Sequence, residues 1–123
     1  MSGINLLADT NILLYLFAGD STVSMLLDSK RIFISFITEI ELLTFKKLSK
    51  EERKTIKDFL DGCTIIGLSE EIKNKTIELK LNYNLKIPDA IIAATSSYLR
   101  IPLISADAEF KNIPTLDLIY YQM

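Results

Sequence analysis

The chain has 123 residues, 49% of them apolar, with 14 basic and 16 acidic side chains and a formal charge of −2. That length fits one domain spanning residues 1-123, and the balance excludes both a disordered chain and a strongly basic polyanion binder. With no histidine, one cysteine (Cys63) and four glycines at positions 3, 19, 62 and 67, the chain has no imidazole triad, HExxH zinc site, Cys-rich metal site or Gly-rich phosphate loop. Any chemistry must therefore run on carboxylates, hydroxyls, lysines or a metal held by oxygen. With no secretory leader and a lone thiol, the expected compartment is a reducing cytoplasm.

Along the chain, Ile4 to Ala8 reads as a short buried strand. The polar break Asp9, Thr10, Asn11 rules out a membrane span and precedes a helix over Ile12 to Phe17. Ser21 is the expected cap of a short helix carrying Val23, Leu26 and Leu27. Arg31 to Phe36 reads as a second strand. Thr38 with Glu41, and Ser49 with Glu52, have capping-box spacing and mark two helix starts. The second of these helices presents Ile56, Phe59 and Leu60, and Gly62 ends it before a third strand, Thr64 to Gly67. Ser69 opens a long helix with Ile72, Ile77, Leu79 and Leu81 as its apolar residues. Pro88 sits in the first turn of a helix running to Leu99. Leu103 to Ser105 and Asp117 to Tyr121 complete the strands.

Short, nearly all-apolar strands alternating with helices predict a three-layer α/β/α sandwich around a central, mainly parallel sheet. Sites in such sheets form beyond the carboxyl ends of the strands, which selects Asp9, Glu41, Asp89 and Asp107. Each has an ordinary structural reading as well. Asp9 fits a helix cap, Glu41 the second half of a capping box, Asp89 a partner of a helix dipole and Asp107 a turn residue. Their convergence on one sheet edge favours a joint role. Carboxylates gathered there repel unless a cation joins them, and Mg²⁺ or Mn²⁺ prefers such oxygen ligands. A cation held in this way acidifies bound water and neutralises charge on a phosphoryl oxygen without any histidine.

Four segments, LLADTNILLYLF at 6 to 17, ISFITEIELLTF at 34 to 45, IPDAIIAATSSYL at 87 to 99 and LISADAEF at 103 to 110, resemble in order and spacing the PIN-domain family of metal-dependent nucleases. The likeness is strongest to the compact toxin ribonucleases of VapBC-type toxin–antitoxin pairs. The resemblance implies a PIN-like fold and Mg²⁺- or Mn²⁺-dependent cleavage of RNA. It also implies an antitoxin protein as partner and a homodimer. Its acids map onto Asp9, Glu41 (rather than Glu39), Asp89 and Asp107, with Asn11 and Ser105 ordering the site. Ala106 stands where many relatives carry a basic residue.

Lys50, Arg53, Lys54 and Lys57 lie on one helical side, preceded by Lys46 and Lys47. They read either as an RNA-backbone contact or as a solvated face balanced by nearby acids. Tyr15, Phe17, Phe36, Phe45 and Phe59 are expected in the core, and Cys63 as a buried thiol. The leading expectation is a toxin-type endoribonuclease. The alternatives are an inactive PIN-like module that binds RNA or a basic peptide, and a phospho-acceptor domain built on Asp9, which lacks a second acid beside it.

Overall fold

The structure, a computed structural model, describes residues 3–122. Its elements are β1 (Asn5–Ala8), α1 (Thr10–Phe17), α2 (Ser21–Leu27), β2 (Arg31–Ser35), α3 (Phe36–Leu43), α4 (Lys50–Asp61), β3 (Thr64–Ile66), α5 (Glu70–Asn82), α6 (Ile87–Leu99), β4 (Leu103–Ser105), a 3-10 segment (Ala108–Asn112) and β5 (Leu118–Tyr120). The strands form one sheet in the order β3-β2-β1-β4-β5, and all four pairings are parallel.

Because successive strand side chains point to opposite faces, β1 feeds two cores. Leu7 packs with Ile72 and Leu79 of α5, Ala90, Ala93 and Ala94 of α6, and Phe110. Leu6 and Ala8 pack on the other face with Ile12 and Leu13 of α1, Val23 of α2 and Ile56 of α4. The sheet is thus covered on both sides, as expected for a three-layer α/β/α sandwich. No helix among the described residues is long and apolar enough to cross a membrane.

Several local expectations are corrected. Helix α1 begins at Thr10 rather than Ile12, because Asp9 itself is the cap. Asp20, not Ser21, caps α2, since its carboxylate accepts from the backbone N–H groups of both Thr22 and Val23 at 3.0 Å. Helix α3 starts at Phe36 with Ser35 as cap, which shortens the strand before it. Thr38 is therefore inside the helix, and its spacing from Glu41 reflects two neighbours on one helical face rather than a capping box. Ser49 and Glu52 do form the reciprocal capping box. The last strand is shorter than expected, and Phe45 is exposed rather than in the core. Cys63 is half-buried, its thiol donates to the Phe59 carbonyl, and burial pushes its pKa up to about 11.

Helix α5 buries Ile72, Thr76 and Leu79 and leaves Ile77 and Leu81 outside. A threonine in the buried stripe obscures the period. It is accommodated because its hydroxyl donates to the Ile72 carbonyl at 2.8 Å. Leu79 is 3% exposed and Leu81 81%, so two nearby leucines should respond very differently to truncation. In urea denaturation Leu79→Ala is expected to lose about 2–5 kcal/mol, and Leu81→Ala to stay within about 0.5 kcal/mol of the parent. Comparable losses at both positions would contradict this orientation of α5.

Candidate active site

The chain leaves β1 toward β2 and β3, then returns to the other side of β1 at β4. Where strand order reverses in this way, the loops after the two central strands part and leave a crevice. Asp9 lies just after β1, and Asp107 two residues beyond β4. Asp9 is 5% exposed. Its Oδ1 accepts from the Thr10 N–H at 2.8 Å and its Oδ2 from the Ser105 hydroxyl at 2.7 Å. Ser105 Oγ also accepts from the Asp107 N–H at 3.0 Å, and Asp107 Oδ1 accepts from the Glu109 N–H at 2.9 Å. One buried hydroxyl therefore links the first acid to the backbone of the fourth.

Glu41 enters from α3. Its Oε1 accepts from the Thr10 hydroxyl at 2.6 Å, and Thr10 Oγ1 lies 3.1 Å from Thr38 Oγ1. It is the charge of Glu41, not of Glu39, that acts on Asp9 and Asp89. Asp89 occupies the first turn of α6. One carboxylate oxygen from each of Asp89, Asp107 and Glu109 lies within 4.8 Å of the others. Glu109 is absent from the acids singled out by sequence. Two acids at this spacing converge here because Asp107 caps the 3-10 segment and Glu109 falls in its first turn. An acid just inside a helix start that follows a candidate ligand is the sequence signal that marks it.

The electrostatics follow from this crowding. Burial first, then the charges of Asp107, Asp9, Glu109 and Glu41, push the Asp89 pKa up to about 6. Burial also raises Asp9, against the opposing hydrogen bonds from Ser105 and Thr10. Ion pairs among the described residues join Lys54 to Asp58, Lys73 to Glu70 and Lys75 to Glu78, so none neutralises the five acids. An all-oxygen donor set under mutual repulsion, without a protein cation, fits a hard divalent ion such as Mg²⁺ or Mn²⁺.

Other sequence candidates are placed differently. Asn11 is exposed and makes no side-chain hydrogen bond among the described residues, whereas the hydroxyl of its neighbour Thr10 reaches Glu41. On α4, Arg53 donates to the Leu43 carbonyl at 2.6 Å and closes the end of α3. Lys54 pairs with Asp58 at 2.8 Å. Lys50 and Lys57 remain exposed and outside any ion pair among the described residues.

A family model described as PIN domain matches residues 6–116. No curated protein matches the chain in sequence. Among solved structures, a toxin–antitoxin complex from Klebsiella pneumoniae contains a chain 32% identical to this one with a TM-score of 0.85, the alignment covering 96% of this chain and 99% of that one. VapBC2 from Rickettsia felis, bound to a DNA fragment from its promoter, contains a chain 24% identical with a TM-score of 0.81, covering 97% and 100%. VapBC-1 from nontypeable Haemophilus influenzae gives 24% identity and a TM-score of 0.78, covering 95% and 98%. The last two likenesses concern the fold alone.

The repulsion has a measurable sign. The folded pKa of Asp89 lies above its unfolded value, so its charge destabilises the metal-free fold. That penalty is absent below about pH 4, grows as the pH rises through about 6 and is full above it. Asp89→Asn removes it, so the metal-free variant should melt higher than the parent near neutral pH, with the gap closing toward about pH 4. An Asn variant that melts lower than the parent at neutral pH would assign Asp89 to helix-dipole stabilisation instead.

Proposed function

The chain belongs to the PIN-domain family, and on that premise we propose that it is a metal-dependent endoribonuclease and the toxin of a toxin–antitoxin pair. The observation that carries this reading is the convergence of Asp89, Asp107 and Glu109, with the charges of Asp9 and Glu41 acting on Asp89, at the strand-order reversal. Asp9, Glu41, Asp89 and Asp107 hold Mg²⁺ or Mn²⁺, and Glu109 adds a fifth carboxylate. When bound, such a cation lowers the pKa of a water molecule and offsets charge developing on the scissile phosphate.

The residues of the chain do the positioning. Ser105 fixes the Asp9 carboxylate by donating to Oδ2, and through the Asp107 N–H it sets the spacing between two ligand-bearing loops. Lys50 and Lys57, with Lys46 and Lys47 before them, supply sequence-independent attraction for the RNA backbone. Arg53 is engaged with the Leu43 carbonyl and is left out of that set.

An antitoxin protein is the proposed partner, supported by the Klebsiella pneumoniae relative, which is described as part of a toxin–antitoxin complex. The acidic crevice suits an inserted Arg or Lys, which can take the place of the cation and silence the site. A homodimer is proposed on family resemblance.

The test is cleavage of a mixed RNA pool by purified protein. Fragments should appear with Mn²⁺ or Mg²⁺ and vanish with EDTA, while Asp107→Asn and Glu109→Gln should reduce cutting under the same conditions. Equal cleavage in EDTA would overturn the metal mechanism. RNA binding without cleavage under any metal would assign the chain to the non-catalytic binding class.

A further inference from the structure

We propose that Thr10 and Thr38 form a two-hydroxyl relay that positions Glu41 toward the acidic crevice, with Thr10 in direct contact and Thr38 fixing Thr10. The inference rests on the metal-dependent reading of this site. An ionised glutamate only accepts hydrogen bonds and a threonine hydroxyl carries a single proton. The 2.6 Å contact to Glu41 therefore uses the Thr10 proton, and the 3.1 Å contact must run from Thr38 to Thr10. The order is Thr38 to Thr10 to Glu41, from a fully buried hydroxyl outward to an exposed carboxylate.

This use of threonine is unusual within the molecule. Thr44, Thr55, Thr76 and Thr95 each donate their hydroxyl to the carbonyl four residues earlier, the common habit of threonine in helices. Thr10 and Thr38 stand in the first turns of α1 and α3, where the residue four positions back belongs to a strand. Helix starts thus free two hydroxyls at the place where α1 and α3 meet. Without this anchor, Glu41 would be an exposed side chain with several rotatable bonds and no fixed direction. With Oε1 held, Oε2 makes no hydrogen bond among the described residues and is available to a cation.

The test combines metal affinity with side-chain order. In the metal-free protein, ¹³C relaxation should show an ordered Glu41 side chain in the parent and in Thr10→Ser, and a mobile one in Thr10→Val. Calorimetric Mn²⁺ affinity should fall roughly tenfold in Thr10→Val, the scale expected when a partner behind a metal ligand is removed. Thr10→Ser should restore it, and Thr38→Val should lose part of it. On a Glu41→Gln background Thr10→Val should add no further loss, since both changes act through one carboxylate. Thr38→Val leaves the Asp9 cap untouched and carries the test if Thr10→Val does not fold. Parental affinity in the Val variants, or equal losses on both backgrounds, would overturn the relay. A Glu41 already mobile in the parent would do so independently of any metal, whereas a parent that binds no Mn²⁺ and keeps Glu41 ordered would refute the nuclease reading instead.

Discussion

Asp9 and Ser105 are 96 residues apart in the chain, and a 2.7 Å hydrogen bond joins them. That bond depends on β1 and β4 lying side by side in parallel, with the Asp9 N–H donating to the Ile104 carbonyl at 3.0 Å across the seam. Parallel neighbours end at the same edge, so whatever follows each strand is delivered to one place. Three further acids are tethered to this seam. Asp107 is tethered through Ser105, Glu109 through Asp107, and Glu41 through Thr10, which is bonded to Asp9 by its own N–H.

The arrangement gives structural roles to side chains that are also proposed as cation ligands. Asp9 caps α1 and Asp107 caps the 3-10 segment, which is the ordinary reading each has when taken singly. A carboxylate has about four acceptor positions, so capping occupies only part of its capacity. The capped geometry is also what keeps the oxygens near one another despite their repulsion. In such a site the folding energy of the sandwich holds close together a set of charges that a cation, once present, would stabilise.

Much of this was legible in sequence because it followed from punctuation. Asp9 and Asp107 each end an apolar strand, Asp89 follows the proline in the first turn of α6, and sheets of this class collect such residues at one edge. Glu41 was separated from Glu39 by family resemblance, and the structure turns Glu41 to Thr10. What was hidden depended on competition between neighbouring groups. Ser35 captures the cap that Thr38 seemed placed to make, Asp20 outcompetes Ser21 with a charged acceptor, and Arg53 is drawn to an open helix end. Glu109 was hidden because its position is set by a short 3-10 turn, whose geometry no apolar period announces. The phase of α5 was obscured by Thr76, a polar residue made acceptable in the core by a bond to its own helix.

Everything proposed for the crevice requires that these carboxylates together form one cation site. Anomalous diffraction from crystals grown with Mn²⁺ tests it most directly, because the peak locates the ion without reference to activity. The expected peak lies at the carboxyl ends of β1 and β4, at coordination distance from oxygens of Asp89 and Asp107, with Glu109, Asp9 or Glu41 completing the protein ligands. A well-occupied peak elsewhere on the molecule, with the crevice empty at saturating Mn²⁺, would contradict it.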